Sequence, residues 1–303
     1  MSIKKKLSTI RKHKFLYFLV IPGIAYFIIF KYIPMLGIII AFKDYNIFHG
    51  LINSPWVGLD NFKRMIEYPD FLRILKNTLL INFYDILFGF TAPIVLALML
   101  NEVRKVLAKR IIQTVVYMPH FLSWVIISGI FIGLLSPTTG LVNDIIGFFG
   151  FEPIYFLGEE SYIRSIIVTS GIWRDTGWGT IVYLAALAGI NPALYEAAEM
   201  DGANRWQQTI KITIPCLLPT IMLLFLLQIG NFLDFGFERV DVFLNPFNRE
   251  NGEIFDTYIY RVGLLQNEFS FTTAIGIFKS VVGLVLLVGA NFISRRTTGT
   301  GLY

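Results

Sequence analysis

Between Asn191 and Pro215, acidic and small apolar residues alternate on a stretch set between two long apolar runs. Glu196, Glu199 and Asp201 surround Leu194, Ala197, Ala198 and Met200. A small apolar knob ringed by carboxylates suits a seat in a groove of another protein better than it suits catalysis. A second set, Gln228, Asn231 and Asp234, recurs every three residues in an apolar run, which places it on one helical face. A polar stripe of this kind should turn away from lipid, toward the inside of a bundle. Trp173, Trp178 and Tyr183, interspersed with Gly171, Gly177 and Gly179, offer aromatic faces nearby. Aromatic faces with amide donors and acceptors are the chemistry that holds a sugar, whose CH faces are apolar and whose hydroxyls need partners. The candidate solute path is therefore Trp173, Trp178, Gln228, Asn231 and Asp234. The competing reading makes the tryptophans headgroup anchors and the polar groups helix-joining contacts.

Catalytic and metal chemistry find no residues. His13, His49 and His120 share no ligand spacing, His120 stands alone near the start of a span, and Cys216 is the single cysteine. No nucleophile, base and orienter come together, and no phosphate loop of the Gly-x-x-x-x-Gly-Lys-Ser/Thr type is present. The chain reads as a non-enzyme without cofactor or metal. Asp85, Arg174, Asp175 and Asp234 fall within or at the ends of apolar runs. They are where an ion-gradient carrier would place its coupling sites. Asp85 and Asp234 read first as polar contacts beside a water-filled path. Arg174 and Asp175, adjacent on the chain, point about 100° apart on a helix, which leaves each free to pair with another helix instead of its neighbour.

The elements that must position these residues are membrane helices. Of 303 residues, 55% are hydrophobic and 16% charged, where a soluble domain carries about a quarter charged. The apolar residues form runs of about 20, the length that crosses a hydrocarbon core. An all-α polytopic bundle of six transmembrane spans follows, near Phe15–Ala41, Asn77–Leu100, Ile111–Leu135, Ile163–Leu187, Cys216–Phe235 and Thr273–Ser294. The first run is too long for a signal peptide and lacks its cleavage site. Pro22 and Pro34 interrupt it, and neighbouring spans are expected to satisfy the freed carbonyls.

Basic residues orient the bundle. Lys4, Lys5, Lys6, Arg11, Lys12 and Lys14 precede the first span. Arg104, Lys105, Lys109 and Arg110, then Arg205 and Lys211, then Arg295 and Arg296 fall on the same side. The other side holds fewer: Lys43, Lys63, Arg64, Arg239, Arg249 and Arg261. The positive-inside rule puts both termini in the cytoplasm, and the net charge of +5 is membrane topology, not nucleic-acid binding. The expected divisions are a basic N-terminus over 1–14, a permeating domain over 15–294 and a cytoplasmic tail over 295–303. Outer loops fall at 43–71, 136–161 and 236–271, and the first and last of these are long enough to meet an external partner.

The cytoplasmic stretch 190–215 reads as two short helices and a hinge. Asn191 caps the first and Pro192 suits its opening position. Gly202 ends it in a left-handed turn, and Asn204 with Gln207 forms a capping box for the second. Trp206, Ile210 and Ile214 share one face, and Pro215 and Pro219 frame the start of the fifth span. A helix lying on the membrane surface would carry Lys and Arg on its polar face, and the first helix carries only acids.

This stretch, Glu196-Ala197-Ala198-Glu199-Met200-Asp201-Gly202-Ala203-Asn204, then Trp206 and Ile212-Thr213-Ile214-Pro215, resembles the cytoplasmic loop of permease subunits of binding-protein-dependent ABC importers. Its wording from Tyr195 onward, and Trp56-Val57-Gly58-Leu59-Asp60-Asn61-Phe62, resemble the carbohydrate, maltose-permease-like branch. Phe15 to Gly23 and Tyr117 to Trp124 resemble its subgroup for oligosaccharides from polysaccharides. Ile214 stands where the family often has Leu. The resemblance covers nearly the whole chain. It implies a type I importer permease fold in a bacterial plasma membrane, with Tyr195, Glu196, Ala197, Ala198, Asp201, Gly202 and Asn204 coupling to an ATPase. It also implies a second homologous permease, two copies of an ABC ATPase that bind ATP and Mg, and an extracytoplasmic solute-binding protein delivering a sugar or oligosaccharide. Another solute class in the same importer type, or an ion-gradient carrier, stays open beside it.

Overall fold

The computed structural model describes residues 13–298. The basic residues Lys4 to Lys12 and the last part of the expected tail lie outside the described residues. The elements, in chain order, are α1 (Lys14–Phe42), α2 (Asp60–Glu67), α3 (Phe71–Glu102), α4 (Val106–Phe121), α5 (Trp124–Leu134), α6 (Leu141–Phe148), α7 (Ile163–Ala188), α8 (Pro192–Met200), α9 (Arg205–Gly230), α10 (Phe237–Asp241) and α11 (Phe269–Thr298). Among the described residues four helices, α1, α3, α9 and α11, are each long and apolar enough to cross a membrane. The bent pairs α4–α5 and α7–α8 raise the number of spans to as many as 6.

Three of these helices contain a π turn that runs up to a proline: Ile28–Tyr32 before Pro34, Asp85–Phe90 before Pro93, and Thr209–Thr213 before Pro215. Proline has no N–H to give to the carbonyl four residues back, and its ring crowds that carbonyl. The wider turn lets the preceding residue bond five back instead: Ile33 N–H to Ile28 O, and Ile214 N–H to Thr209 O. In α1 this widening occurs before Pro34, while Pro22 lies within an ordinary α-helical stretch.

Three elements depart from the expected spans. The third span is not continuous. A 3-10 turn over Met118–Phe121 and an extended Leu122 interrupt it, and α5 starts afresh at 105° to α4. Pro119 favours the break and Ser123 caps the new helix. The fifth span begins earlier than expected. Asn204 does open a helix, but that helix does not stop: it runs from Arg205 to Gly230, with Pro215 and Pro219 inside it. α11 likewise carries on past Ser294 into the expected tail, ending with Arg295 and Arg296 in its last turn, where cations suit the helix dipole.

The chain forms two compact units, Met1–Glu67 with Val262–Ile277, and Tyr68–Arg261 with Phe278–Tyr303. In the first, Ala41 is the one buried side chain that α1 contributes. The end of α1 is capped by the Trp56–Phe62 segment. Asn61 Nδ2 donates to the carbonyls of Ala41 (2.9 Å) and Lys43 (3.0 Å), and the Trp56 ring stacks on Phe42. These bonds satisfy carbonyls that a helix end leaves bare.

In the second unit, α7 packs along α3. Ile163, Ile166 and Ile167 meet Ile81, Val240 and Ile254 at one end, and Tyr183 and Leu187 meet Ala97 and Leu217 at the other. The segment 236–261 is a folded cap rather than a loose loop. Arg164 binds Asn77 and Asn251, and Asn245 and Asn248 both donate to the carbonyl of Leu157. The carboxylate of Glu253, fully buried, is held by Arg249 (3.3 Å) and Arg261 (2.7 Å). Its hydrogen bonds push the Arg261 guanidinium further up.

Candidate functional site

Two places carry the expected chemistry. The first is a cavity of about 330 Å³ walled by α3, α7 and α9. Gln228 and Asn231 both line it, with Tyr183, Thr176 and Phe90. Asp234 does not. α9 stops at Gly230 with Asn231 as its C-cap, so the threefold spacing no longer keeps one face. Asp234 is exposed and lies 3.6 Å from Lys279. The tryptophans also stand elsewhere. Trp173 packs edge-on against Phe131, and Trp178 stacks flat on His120 at 4.5 Å. Five residues apart, they project about 140° from one another. Tyr183 and Phe90 are the aromatic rings of the wall.

Two charged groups anchor that wall. Arg239 Nη2 lies 2.6 Å from Asp85 Oδ1, and both side chains are close to buried. The same guanidinium donates to the carbonyls of Ile167 and Val168 and lies under the Phe235 ring at 4.2 Å. It fills the space beside Gly171, where a Cβ would run into it. The sequence places Arg239 among the basic residues of an outer loop, with no partner assigned. Asp85 gave the missed signal, because a carboxylate in an apolar run needs a counter-charge.

Asp175 forms the second anchor. His120 Nδ1 is 2.9 Å from its Oδ1, and Arg174 Nη1 is 3.2 Å from the same oxygen. Arg174 and Asp175 therefore pair with each other as well as with neighbouring elements, and His120 is not alone. The long arginine side chain curls back across the angle between them. Arg174 also lies over the Trp124 ring at 4.6 Å and points Nε at the Leu122 carbonyl, which the break between α4 and α5 leaves without a helical partner.

The second place is the elbow formed by α8 and the start of α9. Asn191 Oδ1 accepts from Ala193 N–H (3.0 Å). Gly202 has φ +77°, and Ala203 N–H closes the turn onto Ala198 O (2.9 Å). Only glycine takes that φ without a Cβ penalty. Asn204 and Gln207 make the reciprocal capping box, each bond 2.9 Å. Glu196, Glu199, Asp201 and Met200 are all exposed. Ala198 is half-buried. Tyr195 turns inward, its hydroxyl 2.9 Å from Thr213 Oγ1.

Residues 89–299 match the family model of the binding-protein-dependent transport system inner membrane component. The chain belongs to this family: it is the non-catalytic, membrane-spanning permease subunit of a binding-protein-dependent ABC importer, and ATP hydrolysis resides in a separate subunit. It is 48% identical to Protein LplB of Bacillus subtilis (strain 168), over 98% of this chain and 93% of that one. It is 47% identical to the polygalacturonan/rhamnogalacturonan transport system permease protein YteP of the same organism, over 99% and 94%. Among solved structures, a chain of a bacterial ABC transporter involved in the import of the acidic polysaccharide alginate superposes with a TM-score of 0.90 at 42% identity, covering 97% and 99%. The same match holds for that transporter in complex with alginate pentasaccharide-bound periplasmic protein.

Proposed function

We propose that this permease carries a sugar or oligosaccharide and that the cavity between α3, α7 and α9 is its half of the path. The observation that carries this reading is the convergence of Gln228 and Asn231 on one cavity with the Tyr183 ring. Amide groups that donate and accept, beside an aromatic face, match a carbohydrate. Relatives named for alginate, polygalacturonan and rhamnogalacturonan transport support the class. Other solute classes in the same importer type lack that support. The ion-gradient reading is weakened at Asp85 and Asp175, which are both ion-paired.

In this reading the chain sits in a bacterial plasma membrane with both termini, residues 1–14 and 295–303, in the cytoplasm. The elbow 190–215 faces the cytoplasm and presents Glu196, Ala197, Ala198, Asp201 and Gly202 to one of two ATPase copies, which supply ATP and Mg. Segments 43–71, 136–161 and 236–271 face outward toward a solute-binding protein. A second, homologous permease completes the path. Closure of the ATPase pair moves the elbow and turns the packed helices between inward-open and outward-open states, as rigid bodies do in alternating access. Replacing both Gln228 and Asn231 by Leu tests the path. Uptake of labelled oligosaccharide should fall while the complex still assembles, and normal uptake would remove the proposal.

A further inference from the structure

Tyr195 belongs to the stretch expected to meet the ATPase, yet its geometry gives it other work. It is half-buried between the exposed Leu194 and Glu196. Its hydroxyl crosses to Thr213, 18 residues along, in the π turn of α9. Thr213 is 3% exposed, and its Oγ1 also lies 3.5 Å from the Gln208 carbonyl. Gln208, also buried, sends its Nε2 back to the Ala203 carbonyl in the connecting turn (3.1 Å). A single line of hydrogen bonds thus runs from the middle of α8, through the first turns of α9, to the apex of the elbow.

The mechanical consequence follows from where the bond sits. Two helices joined only at the Asp201–Asn204 turn would open and close about Gly202. The Tyr195–Thr213 bond closes the angle about 10 Å from that apex, seven residues at 1.5 Å each. A brace far from a pivot resists rotation better than one beside it. We propose that Tyr195 is a positioning residue: it braces α8 against α9 through Thr213, so that a load applied to α8 moves α9 instead of flexing the elbow. The proposal rests on the reading of α8 as the element gripped by the ATPase.

The test uses the whole complex, reconstituted in liposomes with its ATPase and binding protein. Four variants are compared: Tyr195→Phe, Thr213→Val, Thr213→Ser and the double Tyr195→Phe/Thr213→Val. Cysteine crosslinking from Ala198→Cys to the ATPase is measured in each, together with solute moved per ATP hydrolysed. Crosslinking should match wild type throughout. Transport per ATP should fall about fivefold in Tyr195→Phe and in Thr213→Val, the size of one lost neutral hydrogen bond. It should be retained in Thr213→Ser, which keeps the oxygen. The double variant should be no worse than either single, because both remove one bond. Unchanged coupling in Tyr195→Phe, or additive losses in the double variant, would overturn the brace. Loss of crosslinking in Tyr195→Phe would overturn it too, by making Tyr195 a contact residue. Absence of crosslinking in the otherwise wild-type chain would sink the gripped-elbow reading itself, which separates the two failures.

Discussion

Arg239 and Asp85, 154 residues apart in the chain, meet at 2.6 Å beside the backbone of α7. The pair ties the folded cap over 236–261 to the π turn of α3, and it exists because Gly171 leaves room for the guanidinium. Removing one partner strands a charge in low-dielectric surroundings, which costs about 3–5 kcal/mol. Asp85→Asn and Arg239→Met should each lower the unfolding temperature in detergent sharply. The double Asp85→Leu/Arg239→Met variant should recover much of the loss. Equal destabilisation by singles and double would contradict a paired role.

The stack of Trp178 on His120 lies away from the cavity wall. Trp178→Phe should leave the apparent KM for solute unchanged, while the Leu replacements of Gln228 and Asn231 should not. A raised KM in the Trp178 variant would restore that tryptophan to the path.

Gly202 sits at φ +77°. Alanine there should cost about 1–2 kcal/mol locally, enough to shift the elbow and reduce ATPase association severalfold in a pull-down. Asn204→Ala removes the capping box, costs about 1 kcal/mol, and should show a smaller effect of the same sign. Full association by Gly202→Ala would mean that the turn has no part in docking.

Burial pushes the carboxyl of Asp241 above its ordinary value, and the Arg249 charge offsets this in part. The folded state thus favours the protonated form. Its contribution is present below the unfolded carboxyl value and is lost as pH rises through the folded one. Melting curves of the purified complex should show stability from this site declining across the acid range as pH increases. Asp241→Asn, which cannot ionise, should lack that decline. An unaltered pH profile would show that burial does not govern this group.

Local signals made the elbow legible from sequence. Asn191, Gly202, and Asn204 with Gln207 each act within five residues, so spacing alone gives their geometry. The spans were legible because a run of apolar residues is itself the signal. The charged anchors were not. Arg239 looked like a surface cation, and His120 looked solitary, because their partners Asp85 and Asp175 lie 154 and 55 residues away. The break after Pro119 was hidden because residues on both sides are equally apolar. It is tolerated because Arg174 reaches the Leu122 carbonyl. Asp234 was misplaced because a threefold spacing has meaning only while the helix lasts, and α9 ends at Gly230.

α9 is one helical run from the elbow to the cavity, with a π turn and two prolines on the way. Its first residue, Arg205, stands at the acidic elbow, and its last turn holds Gln228, a wall of the cavity. A 26-residue helix is about 39 Å long. Between the two ends lie the π turn over Thr209–Thr213 and the prolines Pro215 and Pro219, so a tilt imposed at the bottom reaches the amide at the top less whatever bend those points absorb. In the proposed mechanism the gearing between fuel and cargo is then set by how little this one helix bends at those points.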